Sequence, residues 1–235
     1  MPPNVFIPLA EKTDLILDLG CFALREAIAA ASTWDRDAPS SSRPYVTVNL
    51  SARQFHDRGL VEMIRAILQE FSVPPARLIL EVTEHVALSD VAETVRVAEQ
   101  LSELGVGIAL DDFGTGFSSL SYLSLLRPRF LKIDQSFIRP AQDSAQNDAL
   151  LETIVSLGEK MDLTMLAEGI ETAAQLGRLR HLGGALGQGY LFSAAVPASA
   201  VAAMLEAPLS TSLRNGRRVD VADGSPSTRM HSSLT

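Results

Sequence analysis

Six short apolar runs recur along the chain, at 45–50, 78–82, 106–110, 130–133, 164–167 and, more weakly, 186–191. The segments between them have helical period. "DRGLVEMIRAILQEF" and "LSDVAETVRVAEQLSELG" place apolar residues three and four apart, as do "NDALLETIVSLGEKM" and "ETAAQLGRLRHLG". Ser89 and Asp90 suit the N-cap of the second of these, and Gly105 suits its stop. Strand and helix alternating at this spacing predict a parallel sheet with helical crossovers, an α/β fold. The loop "DRDAPSSSRP" (35–44) is polar and turn-rich. From Ala207 the periodicity ends in a tail rich in Ser, Arg and Asp, which we expect to be disordered. The expected division is one domain over 1–206 and a polar tail over 207–235.

Side chains alternate along a strand, so each run splits into two faces. One face is apolar throughout: Val46, Val48 and Leu50; Leu78, Leu80 and Val82; Val106, Ile108 and Leu110; Leu131 and Ile133; Met165 and Ala167. The other face ends, on the C-terminal side of each run, in Asn49, Glu81, Asp111, Lys132 with Asp134, or Glu168. In a parallel barrel the C-terminal strand ends share one mouth, so these polar groups would converge although they are distant in sequence.

Adjacent Asp111 and Asp112 belong to this ring. Crowded carboxylates repel one another and hold protons more tightly unless a cation neutralises them. Asn with Asp and Glu is an all-oxygen donor set, which favours Mg²⁺, Mn²⁺ or Ca²⁺ over Zn²⁺. Two neighbouring aspartates also allow one to bridge two ions, the usual device for phosphoester hydrolysis. Taken singly, each residue has an ordinary explanation: Asp112 as a cap, Lys132 as a solvated edge residue, Asn49 as a turn former. Five runs with the polar end on one face are harder to obtain from caps. His85 reads as a surface or supporting residue, and His56, His181 and His231 have no supporting constellation. In "GGALGQGY", Gly187 and Gly189 flank Gln188; the segment is either a plain turn or a site where glycines let a ligand approach an amide. Barrel reasoning alone also admits a Mg²⁺-dependent enolising enzyme with Lys132 as base.

Composition narrows the field. The chain has 235 residues, 46% of them hydrophobic, enough for one sizeable core and close to the roughly 250 residues common for a single α/β barrel. The formal net charge of −8 argues against a DNA-binding protein. The single cysteine, Cys21, excludes an internal disulfide and reads as a small buried apolar residue. No apolar run reaches membrane-spanning length, so the expectation is a cytoplasmic protein.

The ordered set "FIPLAEKTDLI", "VNLSARQF", "LEVTE", "LDDFGTGFSSLSYL", "LKIDQSF", "LAEGIET" and "GQGYLF" resembles the successive motifs of EAL domains, the bacterial phosphodiesterases that cut cyclic di-GMP. The resemblance covers about 3–197. It implies a modified TIM-type (β/α) barrel and two-metal hydrolysis, with Mg²⁺ or Mn²⁺, of one phosphodiester of cyclic di-GMP to linear pGpG. By motif, it implies Asn49, Glu81 and Asp111 as ligands of one metal and Asp111, Asp112 and Glu168 as ligands of the other. Glu168 is also implied as general base, and Lys132 as the residue that orients or activates the attacking water. Gln188, Glu171, Asp134 and Glu84 are implied in the supporting and substrate shell, with Glu84 anchoring the loop Gly114 to Ser119. That loop also implies homodimer contacts.

The sequence departs from the family pattern in two places. The Glu-Ala-Leu tripeptide that names the family does not occur, and it is expected upstream of "FIPLAE". Six runs stand where a closed barrel has about eight, so we expect an incomplete barrel lacking its N-terminal strands and one metal-ligating Glu. Asp14 stands where the family has Gly. The alternative function is therefore a catalytically impaired EAL domain acting as a cyclic di-GMP sensor or protein-interaction module.

Overall fold

The computed structural model describes residues 1–34, 44–114, 120–139, 144–183, 186–206 and 232–233. Residues 35–43, within the segment read from sequence as a polar loop, residues 115–119 of the segment after Asp112, and most of the tail expected to be disordered lie outside the described residues.

The chain forms two compact units, Met1–Leu110 with Ser119–Pro128 and Ser233–Thr235, and Asp111–Ser118 with Arg129–Ser232. The first carries α1 (Pro3–Ala10), α2 (Leu15–Thr33), β1 (Val46–Asn49), α3 (Ala52–Phe55), α4 (Leu60–Glu70), β2 (Leu78–Thr83), α5 (Glu84–Ser89) and α6 (Val91–Leu104). Strand β3 (Gly107–Phe113) begins in the first unit and ends in the second, and α7 (Leu120–Leu126) returns to the first. The second unit continues with β4 (Phe130–Ile133), α8 (Gln135–Ile138), α9 (Ser144–Lys160), β5 (Thr164–Ala167), α10 (Ala173–His181), β6 (Leu186–Gly187) and α11 (Ala198–Glu206). A two-residue strand, β7 (Ser232–Ser233), is the last element.

In the first unit β1 and β2 pair in parallel, with Val46 opposite Leu78 and Asn49 opposite Glu81. Leu78, Leu80 and Val82 are fully buried, as the apolar face requires, and Ile79 on the other face is buried too. Helix α4 turns Leu60, Val61, Ile64, Ile67 and Leu68 inward, the spacing its sequence predicts. Helix α6 starts as expected: the Asp90 carboxylate accepts from the Glu93 N–H at 3.1 Å. It stops at Gly105, whose φ of 92° places it in the left-handed region. Ser89 is not part of that cap. It closes the separate helix α5, where its hydroxyl donates to the Val86 carbonyl at 2.8 Å.

In the second unit β4, β5 and β6 are parallel: Phe130 lies opposite Thr164, Ile133 opposite Ala167, and Ala167 opposite Gly187. All four residues of β4 are buried, Lys132 among them. The sixth apolar run gives only Leu186–Gly187 as strand, not the whole of 186–191. The cause is the backbone beyond it. Gly189 has φ 152°, and a Cβ there would lie 2.3 Å from the Ile170 carbonyl oxygen. The chain turns against Ile170 instead of extending. Cys21 is partly exposed, so the fully buried position expected for it is not found. It lies on α2 one residue beyond the buried face formed by Ile16, Gly20, Leu24, Ala27, Ile28 and Ala31.

Candidate active site

The expected residues fall into two groups. In the first unit, Asn49 and Glu81 end their strands side by side, fixed by register and by a 2.9 Å hydrogen bond from the Leu50 N–H to the Glu81 carbonyl. Glu81 is buried and Asn49 exposed. The turn after β1 is held by a capping box, with the Ser51 hydroxyl accepting from the Gln54 N–H and the Gln54 side chain accepting from the Ser51 N–H. Glu84 is the first residue of α5 and is buried; the loop it was expected to anchor lies outside the described residues. His85 is exposed, in keeping with a surface role. Asp14, the departure from the family's glycine, pairs with Arg53 on the surface.

The second unit holds the densest chemistry. Strand β3 runs on through Phe113, so Asp111 and Asp112 lie within the strand and not after it. Lys132, from the buried face of β4, donates to Asp111 Oδ2 at 2.9 Å and lies 2.6 Å from Glu168 Oε1. The same Glu168 oxygen accepts from Gln188 Nε2 at 2.8 Å. Asp111 Oδ1 accepts from the Asp112 N–H at 2.9 Å. Backbone bonds set these strand ends: the Glu168 N–H donates to the Ile133 carbonyl, and the Gln188 N–H to the Ala167 carbonyl. An ammonium with so little contact with water needs anionic partners, and Asp111 and Glu168 supply them.

Asp112 has φ 55°, a left-handed conformation that costs a non-glycine residue free energy and that Asp tolerates better than most. Burial holds its carboxyl above the usual carboxylate range. Asp111 and Asp134 push it further up, and Lys132 partly opposes them. Among the described residues, the carboxylates of Asp111, Asp112, Asp134 and Glu168 outnumber the Lys132 ammonium beside them. Asp111, Asp112 and Glu168 offer carboxylate oxygens, a donor type that fits a hard divalent cation, although among the described residues no three His, Cys, Asp or Glu side chains are gathered at ligating distance.

Asp134 is also the cap of α8, accepting from the Ser136 N–H at 2.9 Å, so the ordinary explanation for a strand-end aspartate holds for it too. Glu171 is exposed and lies 3.4 Å from Arg139; sequence reading missed this partner, since no local pattern links residues so far apart. Gln188 is presented to Glu168. The flanking glycines serve the Ile170 segment: a Cβ at Gly187 would lie 2.4 Å from Ile170 Cδ1.

Parallel strands with acid, amide and ammonium groups at their C-terminal ends define an α/β protein with a polar centre at those ends. The family model described as "EAL domain" matches residues 1–195, and the chain belongs to that family. It is 43% identical to the bifunctional diguanylate cyclase/cyclic di-GMP phosphodiesterase MucR of Pseudomonas aeruginosa over 83% of this chain and 28% of that protein. It is 39% identical to the signaling protein YkoW of Bacillus subtilis over 83% of this chain and 24% of that one. The chain thus spans about a quarter of the length of these curated relatives. Among solved structures, the PaMucR phosphodiesterase in complex with c-di-GMP shares 42% identity at a TM-score of 0.80, over 86% of this chain and 81% of that one. The EAL domain of Mycobacterium smegmatis DcpA shares 32% at 0.74, over 80% and 84%. These likenesses bear out the α/β fold of EAL domains expected from the motifs. Among the described residues no helix is long and apolar enough to cross a membrane.

Proposed function

We propose that this domain hydrolyses one phosphodiester of cyclic di-GMP to linear pGpG. The observation that carries the reading is the Asp111–Lys132–Glu168–Gln188 network, with Asp112 adjoining, in a chain related to cyclic di-GMP phosphodiesterases. The product pGpG carries a 5′ phosphate, so the bond that breaks joins phosphorus to the ribose 3′ oxygen. Water supplies the new P–O bond. Glu168 takes the proton from that water, and Gln188, by holding one carboxylate oxygen, fixes the direction in which the other can accept. The Lys132 ammonium stabilises negative charge as it builds on the attacking oxygen and the phosphoryl group. The departing 3′ oxygen leaves with a proton from solvent.

Asp111, Asp112 and Glu168 are the residues we propose to hold Mg²⁺ or Mn²⁺. When bound, the metal supplies charge neutralisation at the phosphate and acidifies water. Asn49 and Glu81 are proposed as further oxygen donors on the motif resemblance alone. Glu84, Glu171 and Asp134 are proposed as supporting residues.

Incubation of the purified chain with cyclic di-GMP and Mg²⁺ or Mn²⁺, with pGpG read by chromatography, tests the reading. Hydrolysis is expected, with Glu168→Gln slower by about 10²–10⁴-fold, the range for loss of a general base. Binding of cyclic di-GMP without turnover would replace hydrolysis by a sensing role.

A further inference from the structure

Lys132 engages carboxylate oxygens that the proposed divalent cation would also use. Its ammonium reaches both Asp111 and Glu168, at 2.9 and 2.6 Å, and it is almost completely shielded from water. Both carboxylates belong to the proposed metal-holding set. An ammonium and a divalent ion sharing the same carboxylate oxygens would stand a few ångströms apart in a partly buried place, where like charges repel strongly. The ammonium and the ion therefore compete for Asp111 Oδ2 and Glu168 Oε1, the two oxygens that Lys132 engages.

We propose that Lys132 is an internal counter-cation that holds Asp111 and Glu168 together in the metal-free protein and is displaced from them when a divalent ion binds. This inference rests on the metal-dependent reading of the site. It gives the lysine two successive positions. Paired, it offsets the repulsion that would otherwise separate the strand ends of β3 and β5. Displaced, its flexible side chain frees an ammonium beside the carboxylates, which is what stabilising an attacking oxygen requires. It also sets a threshold: the ion must compete with an ammonium that is already in place, so the metal affinity is lower than the carboxylates alone would give.

The chain has only three lysines, Lys12, Lys132 and Lys160, so amine labelling reads this one cleanly. The wild-type protein, free of nucleotide, is acylated with acetic anhydride in chelator and in saturating Mn²⁺, and labelling at each lysine is followed by peptide mass spectrometry. Lys132 is expected to label at least threefold faster with Mn²⁺, with Lys12 and Lys160 unchanged. In parallel, Mn²⁺ binding is measured by calorimetry on wild type, Lys132→Met and Lys132→Arg. Lys132→Met should bind at least tenfold more tightly and gain more thermal stability from Mn²⁺ than wild type, while Lys132→Arg keeps the metal-free stability. Tighter binding by Lys132→Met, including binding where wild type shows none, supports displacement. If Mn²⁺ binds wild type but Lys132 labelling does not rise, the displacement is overturned and the metal-dependent reading survives. If neither wild type nor Lys132→Met binds Mn²⁺, both fall. The labelling arm uses wild type alone, so it decides the matter even where a variant fails to fold.

Discussion

The two units end their strands in similar residue types and hold the strand ends by the same parallel register, to which the second adds a network of side-chain ion pairs and hydrogen bonds. In the first, Asn49 and Glu81 are placed by the parallel register of β1 and β2 among buried Val46, Val48, Leu78, Leu80 and Val82. The backbone ladder and the apolar face set both residues at the strand ends. In the second, Asp111, Lys132, Glu168 and Gln188 come from four chain segments; backbone register sets the strand ends there too, and the side chains are in addition linked to one another. Register brings polar groups to a place cheaply; a charge network makes the place depend on each member.

That difference can be broken most directly at Lys132. Removing one partner of a buried ion pair leaves uncompensated charge and typically costs about 3–5 kcal/mol. Lys132→Ala is therefore expected to lose about that much stability in chelator, read from urea unfolding. Asn49→Ala, at an exposed strand end, should change it by less than about 0.5 kcal/mol. Equal losses would mean that the second unit does not depend on its charges.

The comparison is sharpened by two glycines of the second unit. Gly189 supports Gln188 and packs against the Ile170 backbone with φ 152°. Gly189→Ala is expected to cost about 1–3 kcal/mol, the scale of backbone strain, and to depress hydrolysis beyond the stability loss because Gln188 moves. Gly177 lies inside α10, and a Cβ added there would meet nothing within 4 Å. There Gly177→Ala should gain about 0.5–1 kcal/mol, since alanine is the better helix former. A gain at both positions in thermal melts would show that the turn after β6 is not held as described.

The sequence made the alternation of strands and helices readable because the two periods, near 2 and 3.6, are properties of neighbouring residues. Strands β4 and β5 are found at the predicted bounds, and the Asp90 cap and Gly105 stop follow from local chemistry. The motif order was enough for the family. What sequence alone did not reveal is set by contacts across the chain. The shortening of β6 depends on Ile170, the engagement of Glu171 on Arg139, and the left-handed backbone of Asp112 on a strand continuing past Leu110. The strand faces predicted that Lys132 would sit among acids; the structure pairs it with Asp111 and Glu168.

The smallest expected effect lies at Asp112 and separates charge from register by its pH dependence. Burial, then Asp111 and Asp134, raise its folded-state pKa above the unfolded value of about 3.9. The native state thus binds this proton more tightly than the unfolded chain. As pH rises from the unfolded value through the folded one, Asp112 contributes progressively less stability, and above the folded value its penalty is complete. In chelator at neutral pH, Asp112→Asn should therefore melt above wild type, and the gap should close as pH falls toward 4. Asn49→Ala removes no titrating group, so its offset should be flat over the same range. Saturating Mn²⁺ should reverse the order for Asp112→Asn, because wild type then gains an ion that offsets the charge and the variant has lost a ligand. A gap that widens on acidification, measured by thermal melts across the range, would show that Asp112 is stabilised as an anion by groups other than those named here.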